Sequence, residues 1–214
     1  MKDLKKSYDI CISNMLEAVQ SFPLENKVAY AMWLRDIYEY AEHSTRILAT
    51  AGANMPIKHN HLSNRFIIHA SEERGHEKLV ERDLKTLGYN VADMQATNET
   101  KFFYQSLYYW LSKHSNPLGI MGWVLALEGI AVSVAPWAFA KVKEAHSGKA
   151  GNFLRVHGEE DPGHLDEAFK MINKLEGEDL KIVIDSLEQY SNQYVNILSA
   201  IKTYVAHRNQ YFVA

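Results

Sequence analysis

Apolar residues recur every three to four positions along most of the chain, and no stretch alternates apolar with polar residues for long. That period lines apolar side chains along one face of a helix, so the pattern predicts helices from end to end. The first covers about residues 3–21. The second opens at Pro23, a residue suited to a first helical turn, and reaches about residue 51. Gly52 and Pro56 mark a break. The third runs over about residues 59–87, with Gly88 placed as its C-terminal cap. A linker continues to Thr97, and a fourth helix covers about residues 99–113. Pro117 opens a fifth, which reaches about residue 144 and should bend at Pro136. Gly148 to Gly151 separates it from a sixth ending near Leu175, and a seventh covers about residues 179–205. No internal repeat, low-complexity stretch or interdomain linker interrupts this order. The expectation is an all-α fold, a single-domain bundle of about seven helices spanning residues 1–214.

Composition changes this picture little. Of 214 residues, 47% are apolar, enough for a sizeable core, and the formal charge is only -3. Lys and Arg are scattered rather than striped, which argues against a nucleic-acid partner. One segment, residues 118–140, is apolar and long enough to cross a bilayer. Glu128 near its middle, Pro136 near its end and amphipathic flanks favour a buried core helix, and no membrane partner is expected. Cys11 is the sole cysteine, so an internal disulfide is excluded. A small apolar packing residue is its expected role. Lys2, Lys5 and Lys6 are followed by Asp9 and Glu17 rather than an apolar run, so the start does not read as a signal peptide. The expected compartment is the cytoplasm.

Three stretches carry candidate chemistry. In the third helix His69, Glu73 and His76 lie at i, i+4 and i+7, on one face of a continuous helix. Glu73 and His76 form the Glu-x-x-His unit with which carboxylate di-metal bundles present one oxygen and one nitrogen. In the sixth helix His157, Asp161 and His164 repeat the i, i+4, i+7 stripe, and Asp161 and His164 repeat the carboxylate-x-x-His spacing. Gly158, Pro162 and Gly163 leave a second reading open, in which Asp161 is the N-cap of a helix starting there. If the helix is continuous, Pro162 should distort it between ligands. The third stretch holds Glu128, the one charge in about twenty apolar residues. A buried carboxylate needs a compensating partner, whether an arginine, a second acid sharing a proton, or a metal ion. Together, Glu73, His76, Glu128, His157, Asp161 and His164 suit a site for two divalent ions. Three carboxylates leave such a pair with about one surplus positive charge and with open coordination positions. Imidazole and carboxylate suit an iron pair or a manganese–iron pair equally well.

The order Glu73-x-x-His76, lone Glu128, His157-x-x-x-Asp161-x-x-His164 resembles that of the haem-oxygenase-like di-iron oxidases, the iron-containing redox enzymes of the haem oxygenase and TenA-like superfamily. Leu125-Ala126-Leu127-Glu128-Gly129 resembles the Leu-Glu-Gly helix of that superfamily. The resemblance covers about residues 30–175. It implies a seven-helix fold, two iron ions and dioxygen as co-substrate, with relatives that decarboxylate fatty acids, oxygenate nitrogen or fragment amino acids. Many members place the first glutamate seven residues before the histidine, where this chain has His69. Others use the closer spacing that Glu73 supplies.

The leading expectation is thus an iron-dependent oxidase or oxygenase acting on a small organic molecule, of carboxylic or amino acid class, with Glu128, Glu73 and His76 as its catalytic ligands. One alternative is a haem-binding protein using His43. Another is a metal-free thiaminase-like or binding protein, although such hydrolases rely on a late cysteine and Cys11 comes early. Arg65, Arg74 and Arg155 could hold a substrate carboxylate, although the expectation for each is a surface residue. No motif fixes the substrate, the electron donor or the oligomeric state, for which a homodimer is the assembly to test.

Overall fold

The computed structural model describes the backbone of residues 3–146 and 148–211, and the side chains of these apart from 160–162 and 208–211. Among the described residues the chain forms eight α-helices and no strand: α1 (Leu4–Gln20), α2 (Lys27–Asn54), α3 (Asn60–Glu72), α4 (His76–Thr86), α5 (Asn98–Trp110), α6 (Gly119–Ala145), α7 (Asn152–Ile172) and α8 (Gly177–Tyr211). The eighth arises because the expected third helix is two. Gly75 adopts φ 97°, a left-handed conformation that only glycine takes without strain, and the chain turns there between α3 and α4. The second helix also starts later than expected. Asn26 caps it, its side chain accepting from the backbone N–H of Val28 and Ala29, so Pro23 belongs to the preceding turn. Gly88 ends α4 as expected: at φ 81° it donates to Lys85 O, and Tyr89 donates to Leu84 O, the paired bonds of a Schellman cap.

Two groups of helices face each other. α2 packs on α3, α4 and α5, while α6 packs on α7, α8 and α1; contacts of α4 and α3 with α7, and of α2 and α5 with α8, join them. α6 is long and apolar enough to span a membrane, but 72% of its most apolar stretch is buried among the other helices. It runs unbroken through Pro136, as α7 runs through position 162. Two glycines let neighbours approach α6 closely. A Cβ at Gly122 would collide with Ser186 and the backbone of Leu187 in α8, and one at Gly129 would lie 2.6 Å from the Tyr8 hydroxyl of α1. With α1 seated against Gly129, the adjacent Glu128, about 100° around the helix, faces His69 of α3 and His164 of α7.

Candidate metal centre

His69 stands in the last turn of α3 and is buried. Glu73 is the C-cap of that helix and keeps a helical backbone, with its N–H bonded to His69 O. It therefore shares the face of His69 one turn on. His76 does not follow on the same helix. The turn at Gly75 intervenes, and His76 opens α4 with its N–H directed to Glu73 O at 3.3 Å. The Glu-x-x-His pair is thus built across a helix break. α6 supplies Glu128, and α7 supplies His157 and His164.

These side chains meet in two groups that share a member. His69, Glu73, Glu128 and His164 each offer a donor atom within 4.8 Å of the others, and so do Glu73, His76 and His157. In the first group His69 Nε2 lies 3.0 Å from Glu128 Oε1 and 3.6 Å from Glu73 Oε1, and His164 Nδ1 lies 3.6 Å from Glu128 Oε2. In the second, His76 Nδ1 is 3.3 Å from Glu73 Oε2, and the His76 and His157 rings are 4.8 Å apart. Donors bound ~2.1 Å from one ion and ~90–110° apart stand ~3.0–3.4 Å from each other. The His69–Glu128 and His76–Glu73 distances fall in that range, and the His69–Glu73 and His164–Glu128 distances lie slightly beyond it.

Charge concentrates here. Burial alone would raise the Glu128 and Glu73 carboxyls, but the imidazoles outweigh it: His164 and His69 hold Glu128 low, and His69 and His76 hold Glu73 well below the usual carboxylate range. Burial lowers the basicity of His69, yet the carboxylates of Glu128 and Glu73 prevail and push it up to about 9. Without a metal ion, a His69 imidazolium helps to offset the two acids. His157 goes the other way, lowered chiefly by burial, and so favours the neutral form that ligates. Its Nδ1 lies 3.0 Å from Phe153 O, and a carbonyl only accepts, so Nδ1 carries the proton and Nε2 keeps its lone pair.

The donor set also passes a test of fit to a metal. Glu128 Oε2 and His69 Nε2 are buried and make no hydrogen bond, despite the 3.0 Å approach of His69 Nε2 to the other carboxylate oxygen. Buried polar atoms are seldom left so, and the close but misdirected contact is the one expected of two ligands turned toward a shared ion.

The other expected residues fall as follows. The side chain of Asp161 lies outside the described residues, but its backbone is well inside α7, which excludes the N-cap reading. Arg65 is buried and committed to Glu72 and Glu167, each at 2.8 Å, and Arg155 pairs with Glu159 at the surface. Neither these nor Arg74 line the cavity beside the cluster. Nor does His43, which stacks on Tyr104 and bonds Tyr108 through Nδ1 at 2.8 Å. Cys11 is packed in the core, as expected. Glu72 carries no signal in the sequence that singles it out. Its Oε2 lies 3.4 Å from His164 Nε2 and is held by Arg65, so it orients a candidate ligand from outside.

The cavity, about 90 Å³, has the cluster as one wall through His69, Glu73, His76, Glu128 and His157. α2 contributes Trp33, Ile37, Tyr40, Ala41, Ser44 and Leu48, α6 contributes Trp123, Val124, Leu127, Ile130, Ala131, Val134 and Ala135, and Phe153, Leu154 and Tyr194 complete it. A water needs ~10–15 Å³ on this scale, so the space suits a molecule of roughly six to nine heavy atoms. Among the described lining residues none is Lys or Arg.

A protein-family model described as "Iron-containing redox enzyme" matches residues 31–189. No curated protein matches the chain. Among solved structures, a domain of unknown function with a haem oxygenase-like fold from Shewanella denitrificans OS217 is 20% identical, over 97% of this chain and 96% of that one, at TM-score 0.81. A TenA homologue from Pseudomonas syringae pv. tomato DC3000 is 12% identical, over 94% and 91%, at TM-score 0.76. A second TenA homologue, from P. horikoshii OT3, is 13% identical, over 92% and 95%, at TM-score 0.60. At such identities the likeness is one of fold: haem oxygenase-like, all-helical.

Proposed function

Because this chain belongs to the family of iron-containing redox enzymes, we propose that it is a di-iron oxidase that activates dioxygen to oxidise a small organic molecule. The observation that carries the reading is the pair of donor groups overlapping at Glu73, set into the wall of an apolar cavity. Glu73 would serve both ions, His69, Glu128 and His164 one of them, and His76 and His157 the other. Asp161, between His157 and His164 on α7, is the remaining proposed ligand. A manganese–iron pair fits the same donors.

Iron held there would supply electrons and open positions for dioxygen. The protein's own part is binding and orientation. Phe153 O fixes the His157 tautomer, and Glu72, anchored by Arg65, faces the outer nitrogen of His164. The largely apolar walls limit water at the cluster and offer a substrate mainly aromatic and aliphatic side chains, with Ser44, Tyr40 and Tyr194 as the hydroxyl-bearing residues among them. With no Lys or Arg among the described lining residues, a substrate carboxylate would find its positive partner at the metal wall rather than opposite it. Carboxylic acids therefore fit this cavity better than substrates that need a separate basic anchor.

Two observations favour this reading over its rivals. His43, the candidate haem ligand, is engaged with Tyr104 and Tyr108 and does not line the cavity. The metal-free hydrolases rely on a cysteine, and Cys11 is packed in α1 away from the lining residues.

Anaerobic Fe(II) titration followed by exposure to oxygen tests the reading. About two irons should bind per chain and oxygen should be consumed on mixing, and Glu128→Ala should weaken binding at least about tenfold. Failure to bind iron, or binding indifferent to Glu128→Ala, would overturn it.

A further inference from the structure

α7 begins without a cap of its own. Its N-cap position is Gly151, which has no side chain to offer, and a Cβ there would lie 2.7 Å from the Phe139 ring. The cap comes instead from another helix. Asp83 of α4 is fully buried, and its carboxylate accepts three hydrogen bonds from the first turn of α7: Asn152 N at 3.1 Å, Asn152 Nδ2 at 3.0 Å and Phe153 N at 2.9 Å. Among the described residues no Lys or Arg forms an ion pair with it. Its partners are the unsatisfied N–H groups at a helix start, where the helix dipole also favours an anion.

The two helices joined in this way carry His76 on α4 and, nearest the joint on α7, His157. His76 lies seven residues before Asp83 on α4, two turns away on the same face. His157 lies one turn beyond Phe153 on α7, and its Nδ1 donates to Phe153 O while Phe153 N donates to Asp83. A continuous path thus runs from Asp83 through the Phe153 peptide groups to the His157 ring, which packs against His76.

We propose that Asp83 is a positioning residue for the Glu73, His76 and His157 subsite: by tying α4 to the start of α7 it sets the spacing of the two imidazoles, while the His69, Glu128 and His164 subsite does not depend on it. This rests on the two-metal reading.

The test is anaerobic calorimetric titration of Fe(II) into the full chain, with Co(II) absorption reporting the coordination of each ion. In Asp83→Asn one acceptor oxygen becomes a donor facing an N–H. Affinity for one ion should fall about tenfold or more, its Co(II) band should change, and the other ion should stay within about threefold of the parent. Asn152→Ala removes one of the three bonds and should weaken the same ion by about threefold. A lower unfolding temperature with the ratio of the two affinities unchanged would make Asp83 a helix cap only and overturn the proposal. Should Asp83→Asn fail to fold, an unchanged ratio in Asn152→Ala overturns it equally. Fewer than two ions in the parent chain would instead defeat the two-metal reading, before any variant is compared.

Discussion

Glu128 shows how much one residue in an apolar helix can disclose. Its charge amid apolar neighbours called for a partner, and the structure places two imidazoles and a second carboxylate around it. Asp36, by contrast, gave no such signal, because Arg35 and Glu39 stand near it among the apolar residues of an ordinary amphipathic helix. It is buried on α2, where it accepts from Thr97 N and Thr97 Oγ1, each at 2.8 Å, and so holds the start of α5. Burial raises its carboxyl to about 6 against the opposing hydrogen bonds of Thr97 and Thr100. A folded value above the unfolded one means the protonated form stabilises: that contribution is complete below about pH 4 and is lost as pH rises through about 6. Asp36→Asn cannot titrate, and its amide can still accept from Thr97 N. Urea unfolding at several pH values should show the variant gaining up to about 3 kcal/mol on the parent between pH 4 and pH 7. A difference that falls over that range would contradict the assignment.

At the scale of elements, most helices could be read from their period and their punctuation. Those that could not were misjudged because one local signal outranked another. Pro23 suits a first turn, but Asn26 is the better cap, since its side chain satisfies two orphan N–H groups. Gly75 was legible only as a weak helix residue, whereas its positive φ breaks the helix between Glu73 and His76. The spacing of His69, Glu73 and His76 thus led to the right neighbourhood for an incomplete reason: a continuous helix would stack them, and the structure gathers them around a turn. Two glycines measure the difference. Gly75→Ala forces a side chain into left-handed backbone and should cost about 1–2 kcal/mol by thermal or chemical unfolding. Gly163→Ala, in the interior of α7 with open space around it, should stabilise by about 0.5–1 kcal/mol. Equal effects of the two would contradict the break.

The whole molecule brings together what no single segment announces. α3, α4, α6 and α7 converge on the cluster, and the cavity opens between α2 and α6 with Tyr194 of α8 as part of its wall. The sequence held the candidate ligand types and their order. It did not hold the role of Asp83, the outward support from Glu72, or the lack of Lys and Arg among the described cavity residues, because each depends on contacts between helices far apart in the chain. Since the proposed ligands come from four helices, metal binding and folding should be coupled. Fe(II) added anaerobically at ~100 times its dissociation constant should raise the unfolding free energy by ~2.7 kcal/mol per ion, reversed by a chelator. No shift in the unfolding midpoint would separate the cluster from metal binding.

The most direct measurement is an anomalous difference map, collected at the iron edge from crystals of the chain loaded with Fe(II). Two peaks are predicted, one within reach of His69, Glu73, Glu128 and His164, the other of Glu73, His76 and His157. A map with no peak at Glu73, or with iron bound beside His43 instead, would contradict the account.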